Sequence, residues 1–135
     1  MDSQLALRIR LFRETGQADP EVVAFVAAEL DTLAAEGLTV TEDTAGLLTS
    51  HLMAALTRLL NGEQVAAFAT DQQVAAELAG HPEAVARARA VAIRAEQALG
   101  APLPSSEVNF LGLHLAVLAQ NSPARHHSSQ RRTPS

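Results

Sequence analysis

The sequence predicts an all-α protein, a compact bundle of five main helices preceded by a short N-terminal helix. Apolar residues recur at the three-and-four spacing of a helical stripe, glycine or proline breaks separate most of these runs, and no long alternating strand pattern is present. Hydrophobic residues make up 47% of the 135 residues and aromatics only 3%, so a single core of Leu, Val and Ala on closely approaching helices is expected.

Residues 2–14 carry Leu5, Leu7, Ile9, Leu11 and Phe12 in mixed spacing, interrupted by Arg8, Arg10 and Arg13, and read as a short helix ended at Gly16. Asp19-Pro20-Glu21 then supplies an N-cap, a first helical residue and a favourable first-turn acid. That helix runs to Glu36 with Val22, Val23, Val26, Leu30 and Leu33 inward, and Gly37 stops it. Thr41-Glu42-Asp43 starts the next, which continues through His51 and Arg58 to Asn61-Gly62 with an apolar arc of Leu48, Leu52, Ala55, Leu56 and Leu59.

Residues 63–79 form a weaker helical stretch with a break near Thr70-Asp71, where Asp71 opens a new turn containing Val74 and Leu78. Beyond Gly80-His81-Pro82-Glu83, a helix over 82–99 turns Val85, Ala88, Ala92, Ala95 and Leu99 inward, and residues 100–104 form a turn. In the last helix Ser105 or Ser106 is the expected cap and Glu107 favours the positive end. Val108, Leu111, Leu115 and Leu118 make its stripe, with Asn109 and Ala116 on the opposite side. The domain reading is a helical extension over 1–18, one helical domain over 19–120, and a polar, proline-punctuated tail over 121–135 that is expected to be disordered.

Composition narrows the function. All fifteen acids lie at or before Glu107, and against seven arginines they leave the body at −8, a charge that opposes nucleic-acid binding. Cysteine is absent, which removes disulfides, thiolate metal sites and a cysteine nucleophile; every basic residue is arginine, so there is no catalytic lysine. No run reaches the ~20 apolar residues of a membrane span, and Met1-Asp-Ser-Gln lacks a basic signal-peptide start, so a cytoplasmic location is expected. Glycine-rich phosphate loops, zinc-ligand spacings and nucleophile elbows are missing, which points away from an enzyme and from a cofactor or resident metal.

The five histidines differ in weight. His126 and His127 lie in the tail outside any pre-organised site, and His81, just before a proline, reads as a helix-entry residue. His51 and His114 each sit at the edge of an apolar stripe with a charged residue seven positions away on the same helix, Arg58 and Glu107 respectively. Seven residues at about 100° each leave such a pair only ~20° out of line, so the two members share one edge of the helix and can look toward a neighbouring helix.

Pro104-Ser-Ser-Glu-Val-Asn-Phe-Leu-Gly-Leu-His-Leu115 resembles the closing helix of the PRD, the regulatory domain phosphorylated by the sugar phosphotransferase system. His51-Leu-Met-Ala-Ala-Leu-Thr-Arg-Leu-Leu-Asn-Gly62 is similar to that family's first histidine motif, arginine included, and the likeness spans roughly residues 20–118. It implies a PRD-like bundle in which His51 and His114 accept a phosphoryl group from a phosphocarrier protein or a sugar-transport component, altering dimerisation. On this reading Glu107 orients His114, and Arg58 pairs with a phosphate on His51 or, in its absence, with a carboxylate. The family's common arrangement of two such domains beside an RNA- or DNA-binding module does not fit this chain, so a stand-alone, dimerising member without direct nucleic-acid contact is expected. A scaffold whose histidines only pack is the competing class, and a helical metal-binding or hydrolytic protein using His51, His114 and Glu107 is a third.

Overall fold

The computed structural model describes residues 1–63 and 71–121, the side chains of residues 71–73 and 75 excepted. Six helices are present: α1 (Ser3–Glu14), α2 (Pro20–Ala35), α3 (Glu42–Leu60), α4 (Asp71–Leu78), α5 (Pro82–Leu99) and α6 (Ser105–Gln120). Among the described residues there is no strand, so the all-α expectation holds. Residues 64–70, the first part of the expected weaker helix, and residues 122–135 of the expected tail lie outside the described residues.

Local signals set most boundaries. Asp2 caps α1 by accepting from Leu5 N–H at 3.0 Å, and Thr41 and Thr44 close a reciprocal capping box at the start of α3. Gly37, at φ 98°, ends α2 in a left-handed turn that returns Leu38 N–H to Leu33 C=O at 3.2 Å and tucks Leu38 into the core. The start of α6 differs from expectation. Pro104 is its N-cap, and neither Ser105 nor Ser106 bonds the first turn through its side chain; the Pro104 carbonyl accepts from Glu107 and Val108 instead.

The core lies between α1, α2 and α3 on one side and the α5–α6 hairpin on the other, with α4 against α6 and α5. Leu5, Val22, Val26, Met53, Leu56 and Leu115 are completely buried, at 0% exposure each. The face α5 turns inward is Ala84, Ala88, Val91 and Ala95, while Val85, Ala92 and Leu99, which were expected there, are only half-buried. Small side chains draw α5 against α6, and the helix is rotated so that Arg94 and Arg87 reach α2. Arg94 makes a fork of two 2.7 Å bonds to the buried Glu29, and Arg87 meets Glu36 at 2.8 Å.

Contacts with α3, α4 and α5 cover more than one side of α6, so Ala116, expected to face outward, is also buried. Gly112 sits at a close approach: a Cβ there would lie 3.3 Å from Leu78 of α4 and 3.7 Å from Ala88 of α5, so a side chain would require Leu78 to shift. At the other end of the bundle Arg8 of α1 bonds the Glu42 carboxylate and donates to Ser50 Oγ at 2.8 Å, while Asp2 accepts from the Glu42 N–H at 3.1 Å. The guanidinium holds the Glu42 carboxyl below its ordinary range. With Leu5 fully buried, these bonds make α1 part of the common core.

Leu115→Ala is expected to lower unfolding free energy by about 2–5 kcal/mol in urea titrations, because it opens a cavity where α6 meets the core. Leu47→Ala, at a side chain 77% exposed, should stay within about 0.5 kcal/mol of wild type.

Candidate functional site

The site lies where α3 passes α6. Burial of the α3 arc Leu48, Leu52, Met53, Ala55 and Leu56 places His51 at its edge, and the stripe of Leu111, Leu115 and Leu118 does the same for Phe110 and His114 on α6. Glu107, in the first turn of α6, is carried into the seam between the helices and is only 3% exposed.

His51 Nε2 donates to Glu107 Oε1 at 2.7 Å. This corrects one expectation, since Glu107 holds the histidine of the other helix rather than His114 of its own. The reason is axial distance: two helical turns separate Glu107 from His114 by roughly 10 Å along the axis, beyond the reach of one carboxylate, whereas α3 brings His51 alongside. The second oxygen, Oε2, is buried and has no hydrogen-bond partner. A carboxylate removed from water and bonded through one oxygen depends strongly on that single bond.

Phe110 joins the two histidines. Its ring centroid is 4.1 Å from that of His51 at an interplanar angle of 31°, and 4.3 Å from that of His114 at 46°. Both imidazoles therefore contact one phenyl ring, which spaces them and screens one flank of each from water. Burial pushes the His114 imidazole below its ordinary value of 6.5, and positive charge on His51 adds to the shift. His114 is thus held neutral and keeps a nitrogen lone pair where a surface histidine would be partly protonated.

Arg58 stands apart. It lies two turns after His51 on α3, is exposed, and makes no ion pair with a described residue. The structure therefore brings together His51, Glu107 and His114 and leaves Arg58 at the rim. His81 is the N-cap of α5, the helix-entry place expected of it, and its side chain makes no cap bond. Phe110 is the member that sequence reading passed over. Its signal was present: three positions after Glu107 and four before His114, it must share their side of the helix. Among the described residues no group of three or more His, Asp or Glu side chains is arranged to hold a metal ion. No helix among them is long and apolar enough to cross a membrane.

A double-mutant cycle on His51→Ala and Glu107→Ala is expected to give a coupling energy of about 1–3 kcal/mol, and values near zero would show that the bond contributes nothing to stability. The pH dependence of stability has a definite sign. Because the native His114 resists protonation more than the unfolded chain does, the unfolded state binds more protons between the lowered native value and 6.5. The contribution is complete above that window and is lost as pH falls through it. Melting temperature should therefore drop on acidification from pH 7 more steeply for wild type than for His114→Gln, and parallel curves would contradict the assignment.

No family model, curated protein or solved structure matches the chain, so the geometry and the two histidine motifs carry the functional reading.

Proposed function

We propose that the protein is a non-enzymatic regulatory domain, a PRD-like phosphoacceptor that takes a phosphoryl group on histidine from the sugar phosphotransferase system and passes the signal through protein contacts to transcriptional regulation. The observation that carries this reading is the meeting of His51 and His114, 63 positions apart in sequence, against the ring of Phe110, with His51 tied to a buried carboxylate. Each belongs to one of the two motifs that resemble the family, and packing unites those motifs in one place.

Chemistry supports it in a second way. Transfer between histidines asks little of the acceptor: a neutral imidazole nitrogen, access for the donor, and something to hold the ring. A phosphoryl group would bring close to two negative charges to a half-apolar seam beside Glu107, enough to reset packing or an interface worth a few kcal/mol. The partners on this reading are a phosphocarrier protein or a sugar-transport component and a second copy of the chain, in the cytoplasm. A homodimer suits the aromatic-poor, alanine-rich helix surfaces, and nucleic acid would be met only through a partner, given the acidic body.

One observation favours a second reading. Glu107 is almost fully buried and already has His51 as its partner, an arrangement that by itself staples α3 to α6. A scaffold whose histidines only pack would need nothing more. Incubation of the purified protein with phosphoenolpyruvate and the general phosphotransferase components separates the two. The proposal predicts an acid-labile, base-stable label on the wild type that is lost when both histidines are replaced. A wild type that takes no label under conditions where a known acceptor is labelled leaves the scaffold reading.

A further inference from the structure

The two histidines are not equivalent. His51 has its Nε2 committed to a carboxylate that is only 3% exposed, so freeing this nitrogen strands a buried charge. His114 makes no hydrogen bond to any other described residue, and its nitrogens are not among the buried polar atoms that lack a partner. It lies on the same side of α6 as Val117, three positions on and 47% exposed, so this edge of the helix opens outward. One ring is anchored to a buried carboxylate and the other is not, and both contact Phe110.

Resting on the phosphoacceptor reading, we propose that the two histidines divide the work: His114 receives the phosphoryl group, and His51, anchored by Glu107, is the positioning partner that stabilises it there. The lone pair of a neutral His114 nitrogen forms the new N–P bond as the donor's N–P bond breaks and its electron pair returns to the donor imidazole. The acceptor ring, which keeps its N–H, takes on the positive charge that the donor ring gives up, so charge and atoms balance. The arriving phosphate then gives His51 a second anionic neighbour besides Glu107. His51 bonds the phosphate as well as Glu107, and that contact holds the phosphoryl group on His114. A second phosphate on His51 Nε2 would break the bond to Glu107, and on either nitrogen it would meet the like charge of the phosphate on His114, so one phosphoryl group per chain follows.

The test is to phosphorylate the full chain with phosphoenolpyruvate, the system's first enzyme and its phosphocarrier protein, and to locate the label by electron-transfer fragmentation. The expected result is one phosphoryl group, on His114, lost in both His114→Ala and His114→Gln. Glu107→Gln and His51→Gln should still be labelled on His114, yet after removal of the donor they should lose the phosphoryl group roughly tenfold faster than wild type at equal melting temperature, a change a purely structural role would not produce. Label on His51 with His114 unmodified, or equal lifetimes in wild type and both variants, would overturn the division of labour while leaving a phosphoacceptor domain. Absence of label from the wild type would overturn both.

Discussion

The bond between His51 and Glu107 is the constraint on which the arrangement around it depends. A carboxylate only 3% exposed inside a helical bundle must be hydrogen-bonded, and the 2.7 Å contact to His51 is the bond it has. That bond ties α6 to α3 at one height, while packing against α5 and α4 holds the other sides of α6. Once α6 is set, Phe110 and His114 follow at three and seven residues along the same side, and the aromatic contacts to both imidazoles are a consequence of helical spacing. The remaining sides of α6 are then settled by steric fit, with Gly112 admitting Leu78 and Ala88 to close range.

Apolar packing and polar ties divide the bundle between them. The Leu and Val core provides cohesion but little directional information, since one apolar contact resembles another. The ties supply register: Arg94 with Glu29 and Arg87 with Glu36 place α5 against α2, Arg8 with Glu42 and Ser50 places α1 against α3, and His51 with Glu107 places α3 against α6. The last of these ties alone uses a histidine, whose ring nitrogen loses its donor when it is modified. The other ties use arginine, which stays charged. If one seam of the bundle responds to a chemical signal, it is the seam between α3 and α6.

Much of this was legible in the sequence, for identifiable reasons. Helix type and most boundaries were, because Asp19-Pro20, Thr41, Gly37 and Gly100 act through local backbone geometry that a linear pattern encodes. The inward face of α5 was only partly legible. Alanine and valine leave a weak stripe, and the pull of Arg87 and Arg94 toward α2 is a tertiary effect invisible within one helix. In the site, the placement of His51, Glu107 and His114 at stripe edges could be read from spacing, but the pairing could not. A two-turn interval looks like a partnership on a helical wheel, which discards the axial distance; the actual partner of Glu107 lies 56 residues away in sequence. The exposed Arg58 shows the same limit of same-face reasoning.

The central claim is that packing assembles His51, Phe110 and His114 into one cluster with Glu107 beneath it. The most direct measurement is a 13C-edited NOESY spectrum of the unphosphorylated protein near pH 7, with the imidazole and phenyl resonances assigned. The structure predicts cross-peaks from the Phe110 ring protons to ring protons of both His51 and His114, as centroid separations of 4.1 and 4.3 Å require. A folded protein that shows the expected contacts within the core but none between Phe110 and His51 would contradict the account, because the two helices would then not meet at Glu107.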